Sequence, residues 1–176
     1  MTETPAKSVR LFKILNYSLQ AWQPRSRLLR RELVLLVLTL ISLYALMVVG
    51  AYVTVGGYGG GCGTELPRDW PFCHGQLIPT FDWPTAVEYA HRLFTVLTTI
   101  LVFITTFVAW RTRPRRKGVV RSMELASLLL VGQILLGGLV VGSELDAVIA
   151  TVHLANSIVI FGLVVAATAL TSQQRF

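Results

Sequence analysis

A chain of 176 residues in which 53% of side chains are hydrophobic and 14% charged, at a mean hydropathy of +0.62, is too apolar for an ordinary soluble domain. Its net charge of +7 does not point to nucleic acid, because the cations flank apolar runs and form no groove interleaved with aromatics. A lipid partner is expected and a nucleic-acid partner is not.

Residues 1–31 form a basic segment carrying Lys7, Arg10, Lys13, Arg25, Arg27, Arg30 and Arg31. Within it Val9, Phe12, Leu15, Leu19 and Trp22 recur near helical spacing, which predicts a helix lying on headgroups and ending near Pro24. No cleavable signal peptide is evident, because the first apolar run starts late and reaches spanning length without a small-residue cleavage site.

Four runs follow, at about Leu33–Val55, Thr85–Trp110, Met123–Val141 and Ala147–Leu170. Each approaches or exceeds the ~20 residues a bilayer crossing requires. None alternates as a barrel strand would, and backbone polar groups in hydrocarbon must be satisfied within their own segment. The expected fold is all-α: an integral membrane four-helix bundle over residues 32–171. Arg111, Arg113, Arg115, Arg116, Lys117 and Arg121 lie between the second and third runs, and the other two loops hold just Arg68. By the positive-inside rule the N-terminus, this basic loop and the tail 172–176, with Arg175, are cytoplasmic, and the first and third loops face outward from the cell membrane.

The long first loop, residues 56–84, is glycine-rich at Gly56, Gly57, Gly59, Gly60, Gly61 and Gly63 and carries Cys62, Trp70, Cys73, His74 and Trp83. A flexible spacer is one reading; the paired cysteines and the aromatics favour a folded cap. Cys62 and Cys73 fall where disulfides persist, and bridging so short a loop contributes ~3 kcal/mol in the chain-entropy account. A structural staple is sufficient, and a redox-active bridge is the alternative. Trp83 and Trp110 bracket a stretch of about 40 Å, as interface anchors do. Gly138 and Gly142, beside Gly137, form a GxxxG pattern that allows close approach of a neighbouring helix, in this chain or in another copy.

Ionisable residues inside spans are costly and therefore candidates for function. Glu88, His91 and Arg92 share one face of the second span, and His153 lies in the fourth. Counted from the outer helix starts the two histidines lie about 9 and about 10 Å deep. Two imidazoles facing each other in a four-helix bundle suit the two axial positions of a haem iron. Taken singly, each has hydrogen-bonded packing as an equal reading. Zinc is disfavoured, because two further ligands at that depth are not obvious. Arg92 can hold a haem propionate, pair with Glu88 or snorkel. Glu88 can exchange protons with a substrate or serve a structural ion pair. Gln133 is expected to make an interhelical hydrogen bond, and Asn156 to orient the His153 ring or pack. His74 reads as a transient haem ligand or a solvated loop residue.

The stretch Asp69-Trp70-Pro71-Phe72-Cys73-His74-Gly75-Gln76-Leu77-Ile78-Pro79, followed by Glu88-Tyr89-Ala90-His91-Arg92, closely resembles the first external loop and second helix of haem A synthases. Residues Gln133 to Val141 and then His153-Leu154 resemble that family's third helix and the start of its fourth. The resemblance runs from about Gly50 to about Phe161. It implies oxidation of the C8 methyl of haem O to the formyl of haem A, by way of a hydroxymethyl intermediate, for terminal oxidases. His91 and His153 would then be haem ligands, Glu88 a catalytic acid, and Cys62 with Cys73 the loop disulfide. Haem O synthase and the terminal oxidase assembly machinery are the implied partners. Usual members hold two such bundles in tandem, where this chain has one. A homo-oligomer is therefore expected, its histidine pair holding either a resident haem b or the substrate haem. The competing reading is a bis-histidine b-type cytochrome passing electrons to or from quinone. A membrane thiol oxidase is a third reading and generally needs a second cysteine pair, which this sequence lacks.

Overall fold

The computed structural model describes the backbone of residues 5–111 and 117–173, and the side chains of 30–111 and 117–173. The cations ahead of Arg30, the stripe from Val9 to Trp22, and Arg113, Arg115, Arg116 and Arg175 lie outside the described side chains.

Four helices run in order: α1 (Pro5–Val55), α2 (Trp83–Arg111), α3 (Lys117–Gly142) and α4 (Ala147–Gln173). Among the described residues the only strand-like pairing is an isolated bridge between Cys73 and Gln76. Each helix holds a stretch long and apolar enough to cross a membrane: Arg30–Val55 of α1 and the full length of the others. The protein is thus an all-α, multi-pass membrane protein. The helix expected to end near Pro24 runs on through it, so the basic segment and the first span are one helix of 51 residues. Proline removes one rung of the hydrogen-bond ladder, and here the helix continues past that loss.

α1 and α3 each pack against both α2 and α4, which leaves α2 and α4 on a diagonal. The buried apolar cluster fills only the half of the bundle away from the long loop, with Leu36 and Leu43, Val102 and Ala109, Met123 and Leu130, and Ile160 and Val164 among its members. Hydroxyl pairs stitch the same half: Thr39 to Thr105 at 2.8 Å, Ser42 to Thr98 at 2.7 Å, and Thr106 to Ser127 at 2.8 Å. In an apolar setting such bonds supply specificity that dispersion alone does not.

The loop of residues 56–82 folds into a cap at the other end, beside the tight α3–α4 turn. In that turn Glu144 and Leu145 take positive φ (54° and 70°), and Asp146 accepts from the amides of Val148 and Ile149 to begin α4. The GxxxG glycines face the cap and not a neighbouring helix. A β-carbon on Gly138 would stand 3.1 Å from the Trp70 ring, and one on Gly142 2.4 Å from Leu66. The motif permits close approach, and what approaches is the loop. Trp83 and Trp110 stand exposed at the two ends of α2.

Candidate functional site

The cap is built on the first turn of α2. Asp82 accepts from the Thr85 amide at 2.9 Å and so caps the helix. Gly61 crosses this turn so closely that a β-carbon would lie 2.4 Å from the Pro84 carbonyl, a position only glycine fills. Its carbonyl accepts from the Thr85 hydroxyl at 2.7 Å and from His74 Nε2 at 2.9 Å. Cys62 and Cys73 are buried and joined as a disulfide. Beyond it the chain reverses at His74 and Gly75, whose φ values of 52° and 72° suit a two-residue hairpin turn, closed by paired hydrogen bonds between Cys73 and Gln76. His74 is thus an exposed turn residue tied to Gly61.

Glu88 and Arg92 fasten this cap to α2. Glu88 is buried, its Oε2 accepting from the Cys62 amide at 2.8 Å and its Oε1 from Arg92. Arg92 also donates to the carbonyls of Asp69 and Phe72. The ion pair read from the spacing is present, and the same two side chains clamp both ends of the disulfide loop. Asp69, buried in the cap, accepts from the Glu65 amide at 2.9 Å. Gly63, with φ of 86°, passes so close that a β-carbon would meet Asp69 Oδ2 at 2.2 Å.

One turn further into the bundle from Glu88 lies His91. Opposite its ring, α1 presents Gly50, where a β-carbon would be 3.1 Å from Cε1. His153 of α4 is matched by Gly137 of α3, at 3.5 Å on the same measure. Gln133 forms the expected interhelical bond, donating to the His153 backbone carbonyl at 2.9 Å. Asn156 donates to Gln133 Oε1 at 2.8 Å and to the Leu129 carbonyl at 3.1 Å. It therefore locks α3 to α4 and does not orient the His153 ring.

The two imidazoles lie on the diagonal helices α2 and α4. Nδ1 of each ring is buried without a hydrogen-bond partner. An unsatisfied buried polar atom costs about 1–3 kcal/mol, so each ring is held in a setting that protein contacts alone do not satisfy. Among the described residues no three His, Cys, Asp or Glu side chains gather to hold a bare metal ion. The donor set suits an iron that brings its remaining ligands in a macrocycle. Room for one is consistent with the packing: in the cap half the described spans contribute only Val53 and Val141 as buried hydrophobics.

The profile of the cytochrome oxidase assembly protein family COX15-CtaA matches residues 80–175. The chain belongs to this family. Glu88, His91, Arg92 and His153 all fall within the family match, while Gly50 and the disulfide precede it. The chain is similar to the Heme A synthase of Bacillus pumilus (strain SAFR-032), 31% identical over 128 residues, which cover 70% of this chain and 40% of the relative. It is also similar to those of Bacillus mycoides (strain KBAB4) and Bacillus cereus (strain AH187). Each is 32% identical over 138 residues, covering 77% of this chain and 43% of the relative. The chain thus spans about two-fifths of the length of the curated relatives it matches. No solved structure matches it.

Sequence reasoning overlooked Gly50, the buried Asp69 and the hydroxyl pairs below the histidines. Gly50 carries a faint signal, as a lone glycine in the bulky run from Leu46 to Val55.

Proposed function

We propose that this chain oxidises the C8 methyl of haem O to the formyl of haem A, and that His91 and His153 would hold the haem iron in the cap half of the bundle. The observation that carries the reading is the pair of half-buried imidazoles on diagonal helices, each with a buried, unpartnered Nδ1 and a glycine beside its ring, in the half of the bundle that lacks a packed apolar cluster. Membership of the family supports it. When bound, the haem iron would supply the redox chemistry, as a resident haem b or as the substrate itself.

The protein's own groups then divide the remaining work. Gly50 and Gly137 leave room for the rings, and Gln133 fixes the helix turn that carries His153. Glu88, one turn nearer the cap than His91, is the proton-handling acid in this reading. Arg92 holds the cap and contributes the positive charge that a haem propionate requires. The cap covers the end of the bundle nearest the histidines and limits water there. The cap end is extracytoplasmic in this reading, since Arg30, Arg31, Arg111, Lys117 and Arg121 sit at or near the opposite ends of the membrane-spanning stretches.

Co-expression with a haem O supply, followed by haem extraction, tests this. A formyl-haem product is expected. An unchanged haem O pool beside a reducible b-type spectrum would replace the enzyme with an electron-carrying cytochrome.

A further inference from the structure

The segment joining the cap to α2 has a feature that the redox site does not use. Leu77, Ile78, Phe81 and Trp83 are 76%, 71%, 56% and 63% exposed, and no charged residue lies between Gln76 and Phe81. Contiguous exposed apolar side chains of this kind mark an interaction surface. The segment is also held in place. The Tyr89 hydroxyl donates to the Leu77 carbonyl at 2.8 Å, and the Phe81 and Tyr89 rings meet with centroids 5.5 Å apart.

Tyr89 identifies what covers the patch. Leu93, Val96 and Ile100, at four, seven and eleven residues beyond it, are exposed on the same side of α2. In a helix that crosses a membrane, that stripe faces lipid. The Phe81 ring packs on Tyr89 at the head of the stripe, so the patch continues an existing lipid-facing surface.

We propose that residues 77–83 form an interfacial foot, with Leu77, Ile78, Phe81 and Trp83 inserted into the lipid headgroup layer at the cap end of the bundle. Two neighbours limit its depth. Asp82 is exposed, and hydrogen bonding from Thr85, whose amide it accepts, holds its carboxyl below the ordinary carboxylate range, so it stays charged and in water. Trp83, beginning α2, has the amphipathic ring that favours the headgroup level. The foot sets one edge of the cap in lipid, while Trp70 and Leu66 seat the other on α3.

Both native cysteines are bridged, so a single introduced cysteine is the only free thiol for a nitroxide label. Ile78→Cys and Leu77→Cys, with Glu65→Cys as a water-exposed control, are placed in the full chain and reconstituted into phosphatidylcholine vesicles. The ratio of collisions with oxygen to collisions with a water-soluble nickel chelate is expected to be several-fold higher at 77 and 78 than at 65. Equal ratios at all three positions would overturn the foot and leave the segment in water. Labels at 77 and 78 shielded from both reagents would also overturn it, since a protein surface, such as a second copy, would then cover the patch.

Discussion

Gly50 of α1 lies against the His91 ring of α2, where a β-carbon would stand 3.1 Å from Cε1, while its counterpart Gly137 leaves 3.5 Å to His153. The first distance is tighter than normal contact and the second is ordinary, so the two glycines are not equivalent. Gly50→Ala should displace His91 at an overpacking cost of about 1–3 kcal/mol, weakening haem retention roughly tenfold. Gly137→Ala should leave occupancy close to wild type. Haem content per protein, measured after purification, checks both; equal occupancy in the two variants would contradict the asymmetry.

Replacing either imidazole is a more direct test. His91→Ala or His153→Ala should remove the low-spin haem absorbance while the protein still accumulates in the membrane. Neither ring makes a side-chain hydrogen bond at Nδ1 whose loss would destabilise the bundle. A low-spin spectrum retained in both variants would end the ligand assignment.

Glu88 has two roles that paired variants separate. Glu88→Gln keeps an acceptor for the Cys62 amide but removes the charge facing Arg92, which remains bonded to the carbonyls of Asp69 and Phe72. It should bind haem, keep the cap closed and lose turnover. Glu88→Ala, unlike Glu88→Gln, also leaves the Cys62 amide without its acceptor and so strips the cap of an anchor. Wild-type turnover in Glu88→Gln would confine the carboxylate to the clamp.

The spans were legible in the sequence because a membrane helix depends on a local run of apolar residues, and each observed span contains the expected one, the third beginning six residues earlier at Lys117. Gln133 was legible too, since a polar side chain deep in an apolar run must find a partner across the interface. The end of the first helix was not: Pro24 weakens a helix without dictating that it stop. Nor was the partner of Gly138, because a glycine records that something comes close and not what. Trp70 and Gly138 are distant in sequence, as are Gly50 and His91, and no local pattern announces either contact.

The seating of Trp70 on Gly138 leads to a prediction about how the cap is held. Three fastenings converge on it: the disulfide, the Glu88–Arg92 clamp and the glycine seat on α3. The Arg68 side chain is 58% exposed, yet its backbone carbonyl accepts from Gly75 at 3.0 Å, and the next amide, of Asp69, donates to Glu65 at 2.7 Å. Trypsin should therefore cut after Arg68 only when the cap opens. Removing the bridge with Cys62→Ser and Cys73→Ser forfeits ~3 kcal/mol in the chain-entropy account, which corresponds to cutting faster by about a hundredfold. Gly138→Val should also speed cutting, by displacing the Trp70 ring. If the fastenings hold one cooperative unit, adding Gly138→Val to the cysteine variant should accelerate cutting by less than the product of the separate effects. Fully multiplicative rates would mean that the seat and the bridge secure independent parts of the loop, and proteolysis time courses in detergent distinguish the two.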